Sequence, residues 1–327
     1  MRKLSALLLI LTGLLLQGCY TPRPSGAGTK VTLRQEYFAN ASYLGEVVAT
    51  HETAPKNGLD LTLIEGADEI DPIKMVISGQ DKFGVAGADR IFTANESGAD
   101  LVVLGVVNYI NPTVFLAKEE LGVRTPKDFE GHKVGVITGN NTEMIYRTLV
   151  KRANLDSKRI QEVEIPFDLA TFITSAYDVR PAYVFDETVS LDKANIKYTI
   201  VKPQDYGVQF IGTVYFTKRE TVRNEPELVQ NFVNSIAAGW ESAIQNPEKA
   251  LSYLGGYNKT IDITRESLSF SKGVDYFKGE NNKVLMVSRE RWIQMGNALK
   301  ELGLIKEVNT NFIDNTFIEK YHNSKAI

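Results

Sequence analysis

The run Leu101-Val102-Val103-Leu104-Gly105-Val106-Val107 carries no polar side chain, and a strand that is apolar throughout has to be covered on both faces. It sits among other short strand-like runs, Val31–Tyr37, Leu59–Ile64 and Lys82–Ala86. Between them, Tyr43–Thr53, a segment opened by Asp71-Pro72 and closed at Gly79, and Ala88–Glu96 have helical apolar spacing. Asp before Pro in a first turn is the asymmetry expected of a helix start. Continuous apolar strands alternating with helices predict an α/β fold with parallel sheets sandwiched between helices.

A second block repeats the pattern. Lys133–Ile137, Ile160–Ile165, Pro181–Phe185 and Ile196–Val201 read as strands, with helices over Thr142–Arg152 and Asp168–Ser175. After a further strand-like run, Gln209–Thr217, the alternation stops. Glu225–Gln245, Pro247–Leu254, Arg265–Tyr276 and Arg289–Leu302 carry apolar residues at the three- and four-residue spacing of amphipathic helices. No Gly-rich phosphate loop interrupts either block, so the residues alone predict two α/β units followed by a helical C-terminal region.

The N-terminus predicts where such a protein works. Met1-Arg2-Lys3 is followed by thirteen uncharged residues, Leu4 to Leu16, and then by Gln17-Gly18-Cys19, which contains the only cysteine. A basic start, a short apolar run and a small residue before a cut form a secretory signal, and thirteen residues fall short of the roughly 20 needed to span a bilayer. Residues 1–18 are therefore expected to be a lipoprotein signal peptide, with Cys19 as the lipid attachment site. An uncleaved anchor with an incidental cysteine is the plainer alternative. Residues 19–30, rich in Pro, Gly and Ser, have the composition of a flexible tether.

Removing residues 1–18 leaves 309 residues, enough for two domains, and shifts the net charge from −3 to −5 by taking Arg2 and Lys3. No dense Lys/Arg stripe appears, so nucleic acid is not an expected partner. With Cys19 acylated there is no thiol for disulfide, metal or nucleophilic chemistry. His51, His132 and His322 are scattered, without the spacing of a zinc site. Neither cofactor nor metal is expected.

Several segments, taken in order, resemble a known family. They are Leu33 to Gly45 (Leu-Arg-Gln-Glu-Tyr-Phe-Ala-Asn-Ala-Ser-Tyr-Leu-Gly), Lys56-Asn57-Gly58-Leu59-Asp60-Leu61, Ser78 to Val85 with Gly87-Ala88-Asp89, Thr125 to Val136, Ala182 to Glu187, Gln204 to Val208, and Pro226 to Ala250. Together they resemble the solute-binding proteins of ABC importers for thiamine pyrimidine precursors, relatives of the nitrate-, sulfonate-, taurine- and riboflavin-binding proteins. The match spans about residues 30–255. It departs from the family at Tyr43, where histidine is common, and over Ala176–Pro181 and Asn108–Pro112.

The resemblance implies a periplasmic-binding-protein-like fold: two α/β lobes joined by two crossover strands, near Asn111–Leu116 and Phe210–Tyr215, closing on one small molecule. Lobe one would comprise residues 31–112 plus 212–327, and lobe two residues 113–211. It further implies a lipid-anchored monomer in the cell envelope, outside the cytoplasm, that delivers its ligand to an ABC permease with its ATPase.

In open α/β sheets ligands gather beyond the carboxyl ends of strands. The segments Asn40–Gly45, Gly87–Asp89, Asn108–Asn111, Thr138–Glu143 and Tyr183–Glu187 lie there in this reading. They hold Tyr43, Tyr109, Tyr183 and Phe185 but neither Lys nor Arg. An anion would call for guanidinium or ammonium partners, whereas Asp89, Glu143 and Glu187 suit a flat heterocycle with amino donors. The candidate ligand-binding residues are Asn40, Tyr43, Asp89, Asn111, Thr138, Gly139, Asn141, Glu143, Tyr183 and Glu187. Tyr183, Tyr43 and Tyr109 would wall the ring, Glu187 would accept from an exocyclic amine, and Asn40 or Asn111 would bond ring atoms.

Plainer readings compete. Tyr183 and Phe185 could line a sheet face, Glu187 could be a first-turn helix carboxylate, and Gly139–Glu143 could be only a capped helix start. Arg90 and Arg180, close to these segments, are the residues that could serve an anion instead. Thiamine pyrimidine precursors come first among expected ligands, then riboflavin, then nitrate, taurine or alkanesulfonates. A pyrimidine-synthesising enzyme of the same fold is the competing class, but it uses a cysteine-rich stretch that is missing here.

Overall fold

In the computed structural model, residues 28–325 are described except 68, 69, 167 and 258. The signal, Cys19 and most of the expected tether therefore lie outside the described residues. Among the described residues, ten strands build two sheets. They are β1 (Thr29–Arg34), β2 (Leu59–Ile64), β3 (Phe83–Gly87), β4 (Leu101–Val106), β5 (Thr113–Lys118), β6 (Lys133–Val136), β7 (Gln161–Glu164), β8 (Val179–Tyr183), β9 (Tyr198–Val201) and β10 (Thr213–Lys218). β1 begins at Thr29, so Thr29 and Lys30 of the expected tether already belong to a sheet.

The strand orders are β2-β1-β3-β10-β4 and β7-β6-β8-β5-β9. The chain passes between sheets twice, between Val106 and Thr113 and again between Val201 and Thr213. This is the two-lobed α/β architecture with a helical C-terminal region that the sequence predicts, with one correction. Neither sheet is wholly parallel: β10 runs antiparallel to β3 and β4, and β5 runs antiparallel to β8 and β9. These two are the first strands that the chain enters after each crossing, and each arrives from the opposite end of its sheet.

The apolar run that predicted a doubly covered strand is one. Val102 and Leu104 of β4 join a core with Phe83, Tyr215, Phe232 and Trp240, while Leu101, Val103 and Val106 join another with Val76, Ile91, Phe216 and Trp292. Alternation of side chains across a strand sends Val102 and Leu104 to one face and Leu101 and Val103 to the other, and a register shift against β10 at Leu104 turns Val106 to the second face. In the second sheet, Phe115 and Ala117 of β5 enter the core shared with Trp292, and Val114 and Leu116 a third, smaller core.

Helix Pro226–Gln245 buries Val229, Phe232, Ile236 and Trp240 at helical spacing and carries the first sheet's site-bearing corner on its back. A Cβ on Gly239 would fall 2.2 Å from the Gly45 carbonyl oxygen, and one on Gly45 would fall 2.2 Å from the Trp240 ring, so two glycines let backbone and indole touch. The expected helix Tyr43–Thr53 forms here as one continuous helical stretch, tight over Ala41–Tyr43, regular over Leu44–Val48 and looser over Ala49–Thr53.

Behind the same corner lies a buried polar chain. Gln35 Nε2 donates to Glu46 at 2.8 Å, the Tyr215 hydroxyl to Glu46 at 3.0 Å, and Trp240 Nε1 to the Tyr215 hydroxyl at 2.8 Å. Burial pushes the Glu46 carboxyl up to about 8, against the pull of the Gln35 and Tyr215 hydrogen bonds.

Candidate functional site

The site lies where the carboxyl ends of β1, β3 and β8 approach one another between the lobes. β1 ends at Arg34, three residues short of the strand end expected from sequence, and this early exit releases Glu36 from the sheet. Its Oε1 accepts from Gly87 N at 3.1 Å, at the end of β3, and stands 3.6 Å from Arg90 Nη1. Arg90 turns its other nitrogen onto Asp71 at 2.7 Å. Asp71 also accepts from Ile73 N at 2.9 Å, capping the helix Pro72–Ile77 as the sequence predicts.

Burial raises the Glu36 carboxyl to about 7, partly countered by Arg90 and reinforced by Asp89. Asp89, in the first turn of helix Ala88–Glu96, is buried and likewise raised by desolvation. Tyr43 is 6% exposed and its hydroxyl accepts from Tyr37 N at 3.0 Å. Burial, then the Glu36 and Glu46 charges, hold its phenol well above the ordinary value.

On the lobe-two side, β8 ends at Tyr183 and a short turn leads to helix Glu187–Lys193. Glu187 Oε2 closes that turn by accepting from Tyr183 N at 2.7 Å, and its other oxygen stands 3.6 Å from Arg180 Nη2. Arg180 is wholly buried and also donates to the Asp168 carbonyl at 2.8 Å. Burial raises Glu187 against the opposing Arg180 charge. The Tyr183 hydroxyl accepts from Asn141 Nδ2 at 3.2 Å. Its phenol is pushed up by burial, eased by Asn141, and pushed further by Glu36, Asp89 and Glu187. Charges from both lobes thus act on one phenol.

Glu36 and Glu187 keep 27% and 21% of their side-chain surface open although desolvation dominates both pKa shifts. Both carboxylates are thus partly open where the two lobes meet, and loss of hydration is what raises them. Three carboxylates and two phenols converge there. Arg90 and Arg180, the two cations that could have served an anion, are each engaged by carboxylates. Buried Asn141 Oδ1 and Asn108 Nδ2 have no hydrogen-bond partner. Such groups carry a desolvation cost that a ligand can relieve.

The structure thus brings Tyr43, Asp89, Asn141, Tyr183 and Glu187 to one crevice. The other expected site residues use their polar groups elsewhere. Asn40 Oδ1 caps its own turn by accepting from Ser42 N at 2.8 Å. Asn111 Oδ1 accepts from Thr113 N and Oγ1 at 3.0 and 2.7 Å, fixing the start of β5. Thr138 bonds Glu164 through its backbone N and its hydroxyl. Gly139 N donates to Glu143 Oε2 at 2.8 Å, and Glu143 pairs with Arg147 at 3.3 Å; with Asn140 accepting from Thr142 N, this stretch matches the capped helix start. Tyr109 lies under Arg291, 5.5 Å from ring centre to guanidinium carbon.

Glu36 was missed because a strand was expected to continue through it; the acidic residue just past an apolar run was the available signal. Among the described residues, no cluster of three or more His, Cys, Asp or Glu could hold a metal, and no helix is long and apolar enough to cross a membrane.

Two sheets joined by two crossings make a fold that this protein shares with solute-binding proteins of ABC importers. The periplasmic aliphatic sulphonate binding protein SsuA from Escherichia coli has the same fold, with a TM-score of 0.69 at 17% identity over 86% of this chain and 90% of that one. The profile described as NMT1/THI5 like matches residues 55–250, more than half of the chain, and the protein belongs to that family. Relatives include the formylaminopyrimidine-binding protein of Halalkalibacterium halodurans, 25% identical over 82% of this chain and 85% of that protein. Another is the 4-amino-5-hydroxymethyl-2-methylpyrimidine phosphate synthase of Legionella pneumophila, 22% identical over 86% and 90%.

Proposed function

We propose that the protein is the extracytoplasmic solute-binding component of an ABC importer, and that it captures a small amino-substituted heterocycle, a thiamine pyrimidine precursor, between its lobes. The observation that carries this reading is the crevice chemistry: Glu36, Asp89 and Glu187 are desolvated acceptors beside Tyr43 and Tyr183, and both nearby guanidiniums are engaged by carboxylates. Such a site pairs with exocyclic amines and stacks on a flat ring, and it repels a sulfonate. Glu187 accepts from the amine, with Tyr183 and Tyr43 as walls. The name of the Halalkalibacterium relative agrees with this ligand class. Lipid on Cys19 would hold the protein at the membrane beside its permease.

A ligand that binds only the folded state raises its melting temperature. A thermal-shift series with formylamino- and hydroxymethylpyrimidines, riboflavin, taurine and an alkanesulfonate tests the assignment. The aminopyrimidines are expected to give the largest shift. A shift with sulfonate or taurine and none with pyrimidines would overturn it, and turnover of pyridoxal phosphate by purified protein would establish the enzyme reading suggested by the Legionella relative's name.

A further inference from the structure

Helix Ile263–Phe277 belongs to the C-terminal region, yet it touches both loops that carry the crevice residues. Toward lobe one, Glu266, 5% exposed, accepts from Ala41 N at 2.6 Å, two residues before Tyr43. Toward lobe two, Ser269 Oγ donates to the Phe185 carbonyl at 2.5 Å, and Arg265 bridges Glu266, at 2.8 Å, to Asp186. An outer row continues the contact, with Lys193 on Asp262 at 2.9 Å and Lys272 on Thr188 Oγ1 at 3.0 Å and on Asp192.

At the centre of this junction sits Phe185, only 4% exposed. It is a lobe-two residue by chain position but belongs to the core that lobe one builds around Phe83, Trp240 and Phe277. Its ring lies 5.4 Å from Phe277 and 6.0 Å from Tyr276. It rests on Gly273, where a Cβ would come within 2.7 Å of Phe185 Cδ1 and 2.9 Å of Cγ. No side chain other than hydrogen leaves room for the ring.

We propose that Phe185 seated on Gly273 is the clasp that holds the crevice shut, and that these two positioning residues set ligand affinity without touching the ligand. Phe185 lies midway between Tyr183 and Glu187, whose own hydrogen bond at 2.7 Å makes the turn one unit. Wherever the knob goes, both ligand-facing groups go. A hinge opening about the two crossings withdraws the ring from its socket into water and breaks the Ser269 and Arg265 links together. The clasp therefore biases the open–closed equilibrium, and apparent affinity scales with the closed fraction. This inference rests on the solute-binding reading above.

Gly273→Ala tests it with two readouts. By small-angle scattering, the ligand-free variant is expected to have a larger radius of gyration than the ligand-free parent protein. With the aminopyrimidine that gives the largest thermal shift, its Kd is expected to rise about tenfold, through faster dissociation. Phe185→Ala should act in the same direction. Gly273→Ala added to Phe185→Ala should cost nothing more, because the methyl then occupies vacated space.

Arg265→Gln, which leaves the core intact, should give a smaller shift of the same sign and decides the matter if the core variants fail to fold. Parent-like dimensions and dissociation rates in the folded variants, or additive losses in the double variant, would overturn the clasp. If none of the ligands binds the parent protein, the functional reading fails, while scattering of the ligand-free variants still decides the clasp.

Discussion

The two halves of the crevice use the same pairing of carboxylate with guanidinium in opposite ways. In lobe one, Arg90 keeps 39% of its side chain open and divides itself between Asp71 and Glu36. In lobe two, Arg180 is wholly buried, facing Glu187 at 3.6 Å and held by the Asp168 carbonyl. A half-exposed pair is screened and contributes little to stability, whereas a buried cation deprived of its partners, or the reverse, leaves an uncompensated charge. Lobe one therefore offers adjustable charge and lobe two a fixed frame.

The sharpest way to break this comparison is to remove each cation. Arg180→Met strands Glu187 beside an apolar wall and is expected to cost about 3–5 kcal/mol in urea unfolding, while Arg90→Met costs less than about 1 kcal/mol. Equal costs would erase the distinction.

Ligand binding sharpens it next. Glu187→Gln, which replaces an acceptor by an amide of similar shape, should weaken aminopyrimidine binding by about 1–3 kcal/mol in calorimetry, and an unchanged affinity would remove Glu187 from the contact. Glu36→Gln should weaken binding at pH 8 but scarcely at pH 5, because the carboxyl, raised to about 7, is already neutral there. A loss of the same size at both pH values would show that Glu36 does not titrate in the crevice.

The smallest expected effect concerns the ligand-free protein. A carboxyl whose folded pKa lies above its unfolded value of 4.5 holds its proton more tightly when folded. Its contribution is whole below about 4.5 and is lost as pH rises through about 7 for Glu36 and about 8 for Glu46. Unfolding free energy should therefore fall from pH 5 to pH 8.5. Glu46→Gln should flatten that slope and raise the unfolding free energy at pH 8.5, because the amide has no proton to lose and no buried charge to form. A slope that survives the substitution would place its origin elsewhere.

Much of this layout was legible beforehand. Helix Ala88–Glu96 has the expected bounds, the Asp71 cap is made, and the alternation over Leu101–Leu104 sends its side chains to two cores. Tyr43, Asp89, Tyr183 and Glu187 were found by looking past strand ends, because the polypeptide itself sets where strands stop. Asn40 and Asn111 looked equally suitable, but an asparagine at a turn has two uses, and only geometry shows that both cap backbone amides. The close contact of Gly45 in the helix after Tyr43 with Trp240, nearly two hundred residues away, was also hidden.

By itself the amino-acid order determined the elements, the doubly covered sheets and the acidic, aromatic character of the strand ends, all of which follow from periodicity and residue type within a few turns of chain. Tertiary structure decided which of those ends meet. It reversed β5 and β10, turned Glu36 into the crevice, closed Arg180 into a frame and set Phe185 of one lobe into the core of the other. Those outcomes depend on contacts between residues far apart in sequence, whose burial is fixed only when both sheets and the C-terminal helices are packed.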